Sequence, residues 1–206
     1  MMLRLLAIPA VALALSGCAA LLGGGPAPDL FEVRAPSEVP TARRALARDL
    51  VVEVPETAGA LDIDRIMIQP NPVQAAYLPR AAWSGTAPVM LQTAMVRALE
   101  DSGAFRFVGR RPLGPSADFA LVSELTDFQA ELLPDQPGAT IRVRLTAWLV
   151  RDTDGSVIAS RSFQRTATTA STDTIEVVEA FNAASADMVR DLTGWVLGRV
   201  GAAPAS

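Results

Sequence analysis

Few side chains in this 206-residue chain can do chemistry. There is one cysteine, Cys18, and one tyrosine, Tyr77. The ionisable remainder is 22 Asp and Glu against 18 basic residues, every one of them arginine. Histidine and lysine are both absent. Without His there is no Ser-His-Asp triad, Cys-His dyad or imidazole metal site. Without Lys there is no Schiff base, Ser-Lys dyad or P-loop lysine. A single Cys makes neither an intrachain disulfide nor a thiolate cage. Hydrolysis by a carboxylate pair is the main catalytic class left open. A net charge of −4 with no lysine argues against nucleic acid as a partner, because affinity for phosphate comes largely from a basic surface.

Four constellations remain to be weighed. Asp152-Thr153-Asp154-Gly155 resembles the start of a calcium loop, but no Glu follows at the required spacing. The plainer reading is a hairpin turn, which Asp-Gly favours. Asp62 and Asp64 would share a face if they lay on a strand, yet solvated acids at a loop entrance are the commoner arrangement. Tyr77 and Trp83 flank a proline-containing segment and are candidates for anchoring a partner, with core packing as the alternative. Arg142, Arg144 and Trp148 share one strand face and form a candidate contact surface, for another subunit or an anionic headgroup. The alternative is arginine stems covering the indole.

Cys18 has the clearest context. Arg4 is the only charge before Asp29, and Leu5 to Leu15 is an apolar run of signal-peptide length, too short to span a bilayer. Leu15-Ser16-Gly17-Cys18 then resembles the bacterial lipobox, with Cys18 as the acylated residue after the cut. That pattern implies a diacylglyceryl thioether and an N-acyl chain such as palmitate. Each buried CH₂ contributes about 0.8 kcal/mol, so several chains hold a protein durably. Residues 1–17 are therefore expected to be a signal peptide, and residues 18–28 the lipidated Cys and a Gly/Pro-rich tether. Ala19, where an Asp would favour the inner membrane, points to the outer membrane.

The elements that would position these residues follow from periodicity. Strands are expected at Leu30–Val33, Leu50–Val54, Asp64–Gln69 and Val73–Leu78, with Pro70-Asn71-Pro72 as a turn. Thr86 to Glu100 reads as a helix capped by Thr86 and ended by Gly103, with Leu91, Met95, Ala98 and Leu99 on one face. A short strand at Phe105–Val108 precedes a long one from Asp118 to Glu131, whose apolar residues fall on both parities. Ile141 to Arg151 alternates cleanly, with Ile141, Val143, Leu145, Ala147 and Leu149 on one side. Val157 to Thr166 returns as its partner. A last helix starts at Thr172 or Asp173, with the stripe Ile175, Val178, Phe181, Ser185, Met188, Leu192 and Trp195. The order β-β-β-β-α-β-β-β-β-α predicts one α/β layered domain (α+β being the alternative) over residues 29–200. It would hold a mixed sheet that includes an antiparallel hairpin, and a disordered tail at 201–206 would follow.

The order of motifs resembles the ABC-type transport auxiliary lipoproteins, the PqiC/YmbA-like family. Beside the lipobox, the matching pieces are Phe31-Glu32-Val33, Leu61 to Ile66, Tyr77 and Trp83, Leu99 to Phe105, Asp118 to Leu121, Glu124-Leu125 with Phe128, and Ala180 to Ala184 leading to Trp195. The resemblance implies an anticodon-binding-like fold, similar to the TolB N-terminal domain. It implies a lipoprotein facing the periplasm, partner to an MCE-domain protein and ABC transporter subunits that move lipids or hydrophobic molecules. It brings no catalytic residues, metal or cofactor. A homo-oligomer would suit a symmetric partner. An Arg commonly precedes the Trp in this family; here Ala82 does, with Arg80 nearby. The alternative function is a stand-alone envelope lipoprotein binding a lipid or glycan.

Overall fold

The computed structural model describes residues 27–57, 59–133 and 136–202. The signal-peptide stretch 1–17, the Leu15–Cys18 lipobox, the tether up to residue 26 and the tail from residue 203 lie outside the described residues. Eight strands and two long helices follow in the expected order. They are β1 (Asp29–Phe31), β2 (Asp49–Val52), β3 (Arg65–Asn71), β4 (Gln74–Trp83), α1 (Ala87–Asp101), β5 (Phe107–Gly109), β6 (Phe119–Leu132), β7 (Ala139–Arg151), β8 (Ser156–Thr168) and α2 (Thr174–Arg199).

The sheet is open, mixed and forked, and β6 is its axis. Along one edge β6 pairs antiparallel with β7 from Phe119↔Arg151 to Leu132↔Ala139, and β7 pairs in turn with β8. Its other edge is shared. β2 lies parallel beside Phe119 to Leu121, and β3 lies parallel beside Ala130 and Glu131. Between them the chain after β2 continues the ladder: Glu53 N–H donates to Leu121 O at 3.0 Å and Glu56 N–H to Ser123 O at 2.8 Å. β5 then flanks β2, while β4 and β1 extend the sheet beyond β3.

Both helices cover one face, and the alternation of β7 shows which. Ile141, Val143, Leu145, Ala147 and Leu149 are fully buried, whereas Arg142, Arg144, Thr146 and Trp148 are half-buried on the other side. In β6 the register shifts between Leu125 and Asp127. One extra residue at that bulge reverses the parity, so Leu121 and Leu125 before it and Phe128 and Ala130 after it all face the helices. Large apolar residues from both parities are thus gathered on one face.

Capping divides between the helices. Asp173 caps α2 by accepting a hydrogen bond from Ile175 N–H at 2.9 Å. Thr86 occupies the N-cap position of α1 but makes no side-chain cap bond, contrary to expectation. Gly103 does end α1, with φ of 64°, a conformation that costs glycine little. Ile175 departs from the expected stripe and is 54% exposed, because it lies in the first turn of α2, ahead of the buried run that begins at Val177. The expected tail boundary also moves: Ala202 is buried and donates a backbone hydrogen bond to Leu197 O at 2.9 Å.

Trp83 is the main correction to the candidate contact residues. It ends β4 facing the helices and is 1% exposed. Its ring meets Phe181 of α2 edge-on at 5.3 Å and Phe128 of β6 at 5.7 Å, and those two phenylalanines lie 4.8 Å apart. Such a cluster adds about 0.5–1.5 kcal/mol per ring pair to the area it buries. Trp83 therefore joins β4, β6 and α2 and presents nothing to a partner. Trp83→Ala is expected to cost about 3–5 kcal/mol, read as a lowered midpoint in urea denaturation, whereas Ile175→Ala should cost under about 0.5 kcal/mol.

Candidate functional site: an ion-paired sheet face

The face of the sheet turned away from the helices gathers four of the five candidate contact residues. Cross-strand register sets them in rows over β6, β7 and β8: Gln129, Arg142 and Thr166; Asp127, Arg144 and Gln164; Val122, Trp148 and Ser160. Tyr77 belongs to the same face, opposite Met67. Its ring carries the Arg65 guanidinium 5.4 Å from the centroid, within cation–π range.

The two arginines are bound in place. Arg142 grips Glu131 through two parallel bonds, Nε to Oε1 at 2.7 Å and Nη2 to Oε2 at 2.8 Å. This fork-to-carboxylate geometry is the stronger form of ion pair. Arg144 Nε lies 2.9 Å from Asp127 Oδ2, and its Nη2 donates to Gln164 Oε1 at 2.9 Å. Gln129, nearly buried between the pairs, donates to Asp127 Oδ1 at 3.3 Å and Glu131 Oε1 at 3.4 Å. The Arg142 hydrogen bond and charge hold the Glu131 carboxyl below the usual range and raise Arg142, against the smaller opposing effect of burial.

The arrangement is suited to recognition. Glu131 stays ionised near neutral pH and has no proton to donate as a general acid. Asp62 and Asp64 are exposed in the loop before β3, the solvated arrangement. Asp152–Gly155 forms the β7–β8 turn, with Gly155 at φ 70° and Asp154 accepting from Ser156 N–H at 2.9 Å. Among the described residues no three acids or thiols cluster to hold a metal. A hollow of about 520 Å³ lies where the face meets the β3–β4 turn, walled by Pro70, Pro72, Leu133 and the carboxylates of Asp127 and Glu131.

The sequence pointed to the arginines and Trp148 but not to Asp127, Gln129, Glu131 or Gln164. Their polar alternation in the second half of β6 was a usable signal, obscured by the bulge that changes its phase.

Residues 30–193 match the sequence profile of the ABC-type transport auxiliary lipoprotein component family. The chain belongs to that family. It is similar to the crystal structure of XCC0632, a DUF330 protein from Xanthomonas campestris, with a TM-score of 0.73 and 28% identity, covering 84% of this chain and 97% of that one. A second solved structure, of an uncharacterized protein, shares the fold at a TM-score of 0.63 and 16% identity, over 82% of this chain and 99% of that one. The uncharacterized protein bll6063 of Bradyrhizobium diazoefficiens is 26% identical over 192 residues, 89% of this chain. The chain spans about half that relative's length, 49%. The family is one of lipoproteins auxiliary to ABC-type transport. Among the described residues no helix is long and apolar enough to cross a membrane.

The ion pairs give the face a pH dependence of defined sign. Glu131 has a lowered folded pKa, so its contribution is complete above the unfolded value of about 4.3 and is lost as pH falls below it. At pH 7 Glu131→Gln should lower the urea midpoint slightly, by up to about 1 kcal/mol for so partly exposed a pair. As pH falls below the unfolded value the gap between variant and parent should narrow.

Proposed function

We propose that this chain is the outer-membrane-anchored lipoprotein subunit of an MCE-type ABC transport system that moves lipids or other hydrophobic molecules across the envelope. Cys18 carries the acyl anchor, and the folded domain works by docking on protein. The observation that carries the reading is the family match over residues 30–193 in a chain whose one cysteine stands in a lipobox. Ala19 behind that cysteine supports the outer membrane as its site.

The ion-paired face fits the docking role. Arg, Trp and Tyr are the residues enriched at interfaces, and Arg142, Arg144, Trp148 and Tyr77 share one side of the sheet. Both arginines are held by carboxylates, so they meet a partner with little loss of side-chain entropy. The reading assigns the chain no reaction, in keeping with an inventory that lacks His and Lys. The hollow at the β3–β4 turn is half-enclosed, and it sets the Asp127 and Glu131 carboxylates beside any acyl chain entering it, which gives little support to a stand-alone lipid receptor.

Cys18→Ser tests the anchor. The variant should lose the acyl mass, move from the membrane to the soluble fraction and fail to complement a transport defect; full localisation and full complementation would overturn the reading. Docking is tested separately with Arg142→Glu/Trp148→Ala in the lipidated chain. It should keep membrane localisation but recover at least about tenfold less MCE-domain protein on co-purification, the loss of about 1.4 kcal/mol or more that interface anchors carry.

A further inference from the structure

We infer that the domain sits on the bilayer through one defined end, made of the β3–β4 turn, the end of β6 and the start of α2, and that the occupant of this end is a lipid surface of neutral, zwitterionic headgroups. The inference rests on the reading of Cys18 as the acylated residue. It adds to that reading which side of the fold meets the lipid.

Two independent registers fix where the tether leaves the domain. β1 runs parallel to the last part of β4, with Asp29 opposite Ala81 and Phe31 opposite Trp83. The chain before Asp29 therefore heads toward the beginning of β4, where the β3–β4 turn lies. The segment after β1 runs alongside α2 in the same direction: Asn182 bonds the backbone of Glu32 and Arg34, and Arg190 bonds that of Glu38. Upstream, Ala27 and Asp29 share a hollow with Thr174, the first residue of α2. That start lies just beyond the end of β8, where Thr168 pairs with Thr140 at the β6–β7 end of the sheet. Both routes bring the tether out at one end of the molecule.

The reach of the tether then places this end at the membrane. Nine Cα-to-Cα steps lead from Cys18 to Ala27, and at about 3.5 Å per extended step they cannot hold Ala27 more than about 30 Å from the anchor. Apolar side chains are exposed at this end. Val73, on the β3–β4 turn, is 96% exposed where turns ordinarily carry polar residues, and Ile175 is 54% exposed. Leu133 adds a half-buried side chain beside the prolines of that turn.

Both ends carry charges in pairs. At the far end lie the Arg48–Asp118, Arg106–Asp49 and Arg151–Asp154 ion pairs. At the tether end Arg142 is paired with Glu131, Arg80 and Asp29 line one hollow, and Asp173 and Glu176 are bonded at the start of α2, Asp173 to Ile175 N–H and Glu176 to Ser171. Among the described residues these arginines do not outnumber the acids beside them, so nothing there calls for anionic lipid and neutral headgroups are the matching surface.

The test uses the full lipidated chain on vesicles of phosphatidylcholine and phosphatidylethanolamine. With Cys18 acylated, an introduced cysteine is the sole free thiol. Val73→Cys, Ile175→Cys and Val157→Cys are each labelled with an environment-sensitive fluorophore, Val157 standing next to the far-end turn and 60% exposed. Labels at 73 and 175 should shift to the blue and be quenched by headgroup-level spin-labelled lipid at least about threefold more than the label at 157, as side chains seated about 5–10 Å into the interface would be. Protein that floats with the vesicles yet gives equal, water-like emission at all three positions, or stronger quenching at 157, overturns the orientation and leaves the anchor standing. That includes the case in which a protein partner, and not lipid, covers this end. Protein that does not float overturns the anchor and the orientation together.

Discussion

The whole structure depends on satisfying the two backbone edges of β6. A strand running from Phe119 to Leu132 through the middle of a domain presents donors and acceptors on both sides, and leaving them unpaired away from water would cost about 1–3 kcal/mol each. One edge is met by a single long partner, β7. The other is met in pieces, by β2, by the Glu53–Glu56 backbone and by β3. That division forks the sheet and lets both its arms lie under one layer of helices.

The bulge between Leu125 and Asp127 follows from the same strand and decides what each face carries. Without it Phe128 would point away from the helices, and the Trp83–Phe128–Phe181 cluster could not form. On the other side it sets Asp127 opposite Arg144, with Glu131 within reach of Arg142. One inserted residue thus aligns an aromatic core on one face and a ladder of ion pairs on the other. The bending and extra twist that a bulge brings are local, but its change of phase runs to the end of the strand.

A division of labour along the molecule accompanies this. The helix-covered face is consumed by packing. The open face is ordered by ion pairs yet keeps Trp148 and Tyr77 half-exposed. Both ends expose apolar side chains, Val73 and Ile175 at one and Val157 at the other, and the charged pairs around Asp49 and Asp118 stand at the second.

The sequence by itself determined the order and type of all ten elements, because strand alternation and helical stripes are local periodicities read without knowing the neighbours. β7 shows this best, since every second residue from Ile141 to Leu149 is buried as its pattern requires. The lipobox-like order Leu15-Ser16-Gly17-Cys18 is also local, and it lies outside the described residues. The sequence left undecided whether Trp83 was anchor or core, and why β6 had apolar residues on both parities. Both answers depend on residues far apart in the chain: Trp83 is buried by Phe181 from α2, and the phase of β6 is fixed by its pairing with β7. Only the tertiary structure decided these, and with them which carboxylates meet Arg142 and Arg144, because a bulge, a partner strand and a covering helix are properties of pairing and not of local pattern.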